Sequence, residues 1–541
     1  MLRFESERLA RPLLLAVAAM VLFCSAVVPA QTPPRQATIP LPPMGWSSWN
    51  AFSNTIDSQV AMAQAKALVF TGMAKAGYRY INIDEGWWLG ERDAEGNIVV
   101  DPKAWPALAP GEKAGDMSNI VRFIHGQGLK AGIYTDGGAD GCSMYPDLGP
   151  AYHHTGSENH YEQDFLQFAR WGFDYVKVDW CGGDKENLDP AVQYAEIARA
   201  IARAEDLTGH RLYFSICNWG ARSPWTWAPG VGGVAADIWR TGGDIVAPIV
   251  ANSKNAGRKA ELKEVFREFD QGNHPEAQHT GYYNDLDMMV VGMPGLTEAQ
   301  NRVHMSLWAM SGSPLLEGAD LTKLTGDSLA TLTNPAVVAI DQDALGLQAA
   351  KVAEAGPGLE VWAKPLAKPG ERAVLLLNRT AAATPISVRF GDLGLIDSSA
   401  ATVEDLWAGK DLGALTASYS ATVPAGDAVL LLVRGREGKP TTYRPAEPDH
   451  RIGHEFNFTH VATRTPMTRI QVVYRNPDKT PRLAELRVNG RIATRIAFPP
   501  TGSGPGAVTI QSLLDRSGAN NVLSFSAVAE PGLSIESIAV Q

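Results

Sequence analysis

A chain of 541 residues exceeds what one hydrophobic core supports, so two or three domains are expected. Hydrophobic residues at 45% and charged residues at 20% describe an ordinary folded protein and exclude a disordered or fibrous one. A net charge of -10 argues against nucleic acid as a partner and fits a neutral substrate.

The first thirty residues stand apart. Arg8 and Arg11 precede an apolar run from Leu13 to Val28, and Val28-Pro29-Ala30 offers small residues for cleavage. This layout predicts a secretory signal over residues 1–30 and a secreted or periplasmic product. About sixteen apolar residues are short for a membrane span, and no later stretch is long enough, so no membrane partner is expected after cleavage. Phe23 before Cys24 fits a lipoprotein signal poorly. Three cysteines then meet oxidising conditions, which predicts one disulfide and one free thiol. Cys217 ends Leu212-Tyr-Phe-Ser-Ile-Cys217, a buried strand in which a thiol behaves as a small apolar group. The expected pairing is Cys142 with Cys181.

From residue 39 to 345 short apolar runs alternate with helical patterns every 25 to 50 residues. The runs are Pro43–Trp46, Tyr78–Ile83, Lys130–Tyr134, Phe173–Val178, Arg211–Cys217 and Val234–Trp239, with weaker ones at Leu286–Val291 and Met310–Leu316. Helices are expected over Ser58–Ala76, Met117–Gln127, Tyr161–Trp171 and Pro190–Ala204. Eight such units predict an α/β fold, a (β/α)8 barrel. A doubly wound sheet would carry a Gly-rich loop after its first strand, where this chain has Trp46-Ser-Ser-Trp-Asn50. Over residues 346–436 the strands lose their helices, which predicts an antiparallel β-sandwich. Arg436–Thr442 reads as a linker, and residues 446–541 as a further β-sandwich module. In that module Val488-Asn-Gly-Arg491 is a type I′ hairpin turn.

A barrel keeps its active site where strands end. Those positions hold Trp46, Trp49, Asp84, Glu85, Trp87, Trp88, Tyr134, Asp136, Lys177, Asp179, Asn218, Trp219, Arg240, Asp244, Asp285, Asp287 and Met288. Carboxylates beside indoles suit a sugar, whose C–H face stacks on a ring while its hydroxyls bond acids. Glycoside hydrolysis needs one ionised and one protonated carboxyl. Asp179 is the candidate nucleophile, because Lys177 two residues earlier points the same way and lowers its pKa. The bland alternative is a structural ion pair. Asp244, in a glycine-containing loop, is the candidate acid/base, kept protonated by the charge on Asp179; the alternative is a turn or cap aspartate. Trp87 and Trp88 are read as a sugar platform rather than core. Asp84, Asp179 and Asp287 resemble hard-cation ligands, but Lys177 and Arg240 already neutralise the ring, so no metal or other cofactor is expected.

At these residues the sequence resembles the α-galactosidases of glycoside hydrolase family 27. The matching segments run from Leu41-Pro-Pro-Met-Gly-Trp-Ser-Ser-Trp-Asn50 through Gly77–Trp87, Gly132–Asp136, Lys177-Val-Asp-Trp-Cys181, Cys217-Asn-Trp-Gly220, Trp239–Asp244, Tyr283–Met288 and Leu307–Leu315 to Ala339–Gly346. The resemblance covers residues 40 to about 435 and implies Asp179 as nucleophile and Asp244 as acid/base of a retaining enzyme. It implies a galactose pocket of Trp49, Asp84, Glu85, Tyr134, Cys142, Lys177, Asn218, Trp219, Arg240 and Met288, with the Cys142–Cys181 disulfide beside it. The implied partner is a galactose-containing oligo- or polysaccharide. Glu85 departs from the family's second aspartate. Its extra methylene leaves less room at C6, which makes a β-L-arabinopyranosidase the alternative enzyme. Asn218 stands where some members have glutamate, and Ala236 where a partner for Cys217 would be. A catalytically silent sugar-binding barrel is the third possibility. The last hundred residues faintly resemble β-sandwich carbohydrate-binding modules. They hold no tryptophan, so a glycan platform there would rest on Tyr443 or Tyr474.

Overall fold

The computed structural model describes residues 35–144, 152–230, 236–245, 258–446, 455–463, 465, 467–515, 520–527 and 532–541. The signal over residues 1–30 and the start of the run at Val234 lie outside them. Eight short parallel strands form one sheet: β1 Met44–Ser47, β2 Tyr80–Asn82, β3 Lys130–Asp136, β4 Tyr175–Asp179, β5 Tyr213–Ile216, β6 Ile238–Arg240, β7 Tyr283–Asp285 and β8 Leu315–Glu317. Their order is β7-β6-β5-β4-β3-β2-β1-β8. A parallel bridge between Met289 and Glu317 joins the two ends, with Met289 N donating to the carbonyl of Leu316 at 2.7 Å. The ring is a (β/α)8 barrel. Its strands are buried on both faces, which is why they read as near-continuous apolar runs.

Local chemistry sets the helix ends, and two expectations change there. Asp57 caps Ser58–Phe70 by accepting from Val60 N at 2.8 Å. Gly72, at φ 85°, then breaks the single helix expected to Ala76, and Met73–Ala76 forms a separate turn. The eighth strand starts later than Met310. A Thr297 capping box opens a helix over Glu298–Ser311 that Gly312 closes in the left-handed region, so the first half of that apolar run is helical. The seventh strand is Tyr283–Asp285, ahead of the expected Leu286–Val291, because Asp287 at φ 81° turns the chain out of extended geometry.

The sandwich after the barrel pairs a six-stranded antiparallel sheet between Ala350 and Arg434 with a two-stranded sheet, Thr384–Arg389 and Ser418–Val423. The C-terminal module stacks a four-stranded sheet on a five-stranded one around a separate core. Its Asn489–Gly490 turn has positive φ at both residues, as a type I′ hairpin requires. Both edges of the five-stranded sheet come from outside the module. Arg35–Gln36 pairs parallel with Gly506–Ala507, and Thr441–Tyr443, whose first two residues end the expected linker, pairs with Ile538–Val540. Glu437 clasps Arg372 of the first sandwich at 2.7 Å and Arg469 of the module at 2.9 Å. Tyr474 is no glycan platform, for its ring is fully buried in the module core. The module also docks on the barrel, with His279 3.1 Å from the hydroxyl of Thr494 and Gln511 donating to the carbonyl of Gln348. His279 lies just before β7 begins, so this contact is at the barrel end opposite the acids. Among the described residues no helix is long and apolar enough to cross a membrane.

Candidate active site

Strand alternation builds the floor of the mouth. Lys177 and Asp179 are two residues apart on β4, and the parallel register sets Tyr134 beside Lys177 and Asp136 beside Asp179. The Lys177 ammonium lies 3.0 Å from Asp84 Oδ2, 3.7 Å from Asp179 Oδ2 and 5.2 Å from the Tyr134 ring centre. Asp84, two residues beyond β2, is further fixed by its own N–H donating to Ser48 Oγ at 2.9 Å. Asp179 Oδ1 accepts from Trp180 N at 3.0 Å. Lys177 does lower the Asp179 pKa, but burial is the larger effect and pushes it up to about 6, with Asp244 and Asp84 adding. The expectation of a depressed value is therefore corrected.

Glu85 is fully buried. Its Oε1 accepts from Ser143 N at 2.8 Å, and its Oε2 has no hydrogen-bond partner among the described residues. Burial pushes this carboxyl up to about 8, and the nearby Asp179 and Asp84 add to it. Gly141 makes room for it: a Cβ there would stand 2.4 Å from Glu85 Oε1.

Cys142 and Cys181 are joined in a disulfide that ties the loop after β3 to the loop after β4. The two sulfurs and one carboxylate oxygen each of Asp136 and Asp179 lie within 4.8 Å of one another. Bonded to each other, the sulfurs offer no thiolate to a cation, and the four groups do not make a metal cradle. Asp136 Oδ1 accepts from Gly138 N at 2.7 Å and Gly182 N at 3.1 Å, fastening the same two loops a second time. They touch backbone to backbone, since a Cβ on Gly138 would meet Gly182 at 2.3 Å. Trp219, at φ 52°, packs on the disulfide, and Asn218 is buried with its Nδ2 donating to Ala221 O at 2.8 Å.

The far wall comes from β6 and β7. Arg240 reaches Asp244 Oδ1 at 3.2 Å and Asp287 Oδ1 at 3.0 Å. The Asp244 side chain is 59% exposed, against 7% for Asp179. Cys217, the free cysteine among the described residues, is buried and accepts from Arg240 at 3.6 Å. Asp84, Lys177, Cys217, Arg240, Asp287 and Met288 all line one cavity that opens to solvent. Trp49 starts a short helix directly after β1 and is half-buried.

Not every expected residue is at the mouth. Trp87 is core: its ring is fully buried against Phe168 and Trp171. Trp88 instead lies 5.7 Å from Tyr134, and its indole N–H and the Tyr134 hydroxyl are buried without partners among the described residues. Sequence reasoning passed over Ser48 and Ser143, which act through one hydroxyl and one backbone N–H. It also saw Asp287 only as a possible cation ligand.

Two fixed cations and a ring of strand-end carboxylates suit the paired-acid chemistry of a glycoside hydrolase. The model of α-galactosidase A matches residues 41–343, that of the α-galactosidase C-terminal β-sandwich domain 356–433, and that of an α-galactosidase CBM13 domain 455–539. α-Galactosidase A of Cellvibrio japonicus is 42% identical over 62% of this chain and 76% of its own length. The α-galactosidase of Oryza sativa subsp. japonica is 37% identical over 69% of this chain and 80% of its own. The crystal structure of α-galactosidase I from Mortierella vinacea superposes with a TM-score of 0.63 at 28% identity, covering 73% of this chain and 97% of that one. The chain belongs to the α-galactosidase A family and is a glycoside hydrolase of the α-galactosidase type.

Proposed function

We propose that this enzyme removes terminal α-D-galactosyl residues from oligo- or polysaccharides by double displacement, with Asp179 as nucleophile and Asp244 as acid/base. In the first step Asp179 attacks C1 and the glycosidic bond breaks toward oxygen. Asp244 gives its proton to the departing oxygen. In the second, Asp244 takes a proton from water, the water oxygen attacks C1, and Asp179 leaves with configuration retained. The carrying observation is the contrast between the two acids: Asp179 is buried at 3.7 Å from Lys177, while Asp244 is 59% exposed on the guanidinium of Arg240. A nucleophile gains from being dry and fixed, and an acid/base must exchange its proton with water. The double displacement requires the carboxyls to stand about 5 to 5.5 Å apart across the sugar.

A second reading rests on Glu85. Its side chain is one methylene longer than the aspartate expected there and ends in a buried, unpartnered oxygen near Asp84 and Asp179, which supports a pocket with less room at C6 and so β-L-arabinopyranose, an α-D-galactose without C6. Side-by-side assay of 4-nitrophenyl α-galactoside and β-L-arabinopyranoside separates the two, and activity on neither supports a silent sugar-binding barrel. The leader over residues 1–30 supports export, tested by whether the mature protein begins near Gln31.

A further inference from the structure

We propose that Asp287 is a positioning residue that holds Asp244 in place and tunes its proton, acting through Arg240 and the backbone of Ile245. This rests on the acid/base role of Asp244. Both oxygens of Asp287 are already committed: Oδ1 takes Arg240 at 3.0 Å and Oδ2 accepts from Ile245 N at 2.7 Å. The two partners bracket Asp244, four residues before it and one after. Arg240 closes the bracket by donating to Gly243 O at 2.6 Å and reaching Asp244 Oδ1 at 3.2 Å, while Arg267 holds the Asp244 carbonyl from outside at 2.7 Å.

Asp287 keeps a conformation that a non-glycine residue avoids, φ 81°, and its surroundings enforce it. Its N–H donates to Asp285 Oδ1 at 2.9 Å, and Trp308 Nε1 donates to its carbonyl at 2.9 Å. The result is a buried carboxyl on one terminal nitrogen of Arg240 while Asp244 takes the other; burial pushes Asp287 up to about 7 and the guanidinium opposes that shift. One guanidinium charge is shared between two carboxylates. Without Asp287 more of that charge would fall on Asp244, favour its ionised form and leave less of it protonated to serve the departing oxygen.

The test compares leaving groups. Glucose leaving melibiose needs a proton on its oxygen, whereas 2,4-dinitrophenolate leaves with the electron pair and needs none. In Asp287→Asn, kcat/KM should fall about 100-fold on melibiose and less than about 10-fold on 2,4-dinitrophenyl α-galactoside, within the range of general acid catalysis. The basic limb of its pH profile should move to lower pH, with Arg240, Arg267, Lys177, Glu268, Asp285, Asp179 and Cys217 still facing the site. Equal losses on both substrates, or an unmoved limb, would overturn the proposal. Asp244→Asn is the control: if it shows no leaving-group dependence, the acid/base assignment itself fails; if it alone shows it, only Asp287 does. The unaltered enzyme gives an independent reading. An Ile245 amide bonded to a buried carboxylate should exchange slowly with deuterium, and exchange at the rate of open solvent would refute the bracket.

Discussion

Lys177 stands nearer to Asp84, at 3.0 Å, than to Asp179, at 3.7 Å. The ammonium is therefore a shared charge that fixes Asp84 and Asp179, the proposed binding acid and the proposed nucleophile, together. Because Asp179 has only part of that charge, burial decides its ionisation.

The acidic limb of kcat/KM follows from this. The proposed nucleophile must be ionised, and burial pushes Asp179 up to about 6, so activity should decline as pH falls through that value. Lys177→Met removes a cation that lowers the pKa, so the limb should move to higher pH. A pH profile on 4-nitrophenyl α-galactoside checks both.

Stability should run the other way. The folded pKa of Asp179 is raised above its unfolded value, so ionisation works against the fold at pH above about 6. Asp179→Asn should abolish turnover, by at least about 1,000-fold, yet raise the melting temperature at pH 7.5 by the equivalent of up to about 3 kcal/mol. The gain should vanish below about pH 4, where the wild-type carboxyl is neutral in both states. Paired thermal melts at the two pH values measure it.

Glu85→Asp shortens a buried side chain and opens space at C6 of the sugar. It should raise the ratio of kcat/KM for α-galactoside over β-L-arabinopyranoside by about 10-fold or more, the size expected for one carbon in a tight pocket. Competition between the two nitrophenyl substrates reads the ratio directly.

The disulfide supports the loops beside Asp179, the proposed nucleophile. Replacing Cys142 and Cys181 with serine should cost about 2–4 kcal/mol of stability and lower kcat, because the sulfurs lie within 4.8 Å of an Asp179 oxygen. Chemical denaturation and turnover measured on one preparation test both effects.

What the sequence disclosed depended on the kind of signal. Asp84, Lys177, Asp179 and Arg240 were legible because apolar runs mark strands and barrels put chemistry at strand ends. Trp87 and Trp88 were not separable, since neighbours in extended chain face opposite ways and nothing local tells which faces the core. Ser143 serves through its backbone N–H, which every residue but proline has. Asp287 depends on a left-handed turn and on partners 42 and 47 residues away, and such distances leave no local pattern. The module's borrowed edge strands were equally hidden, for two and three residues are too short for periodicity to show.

The central claim is that the galactosyl group passes through a covalent bond to Asp179. Incubation with 2-deoxy-2-fluoro-α-galactosyl fluoride, followed by digestion and mass spectrometry, addresses it in one step. The account predicts a fluorogalactosyl adduct on the peptide carrying Asp179, in step with loss of activity. An adduct on another carboxylate would contradict it, as would inactivation with Asp179 unmodified.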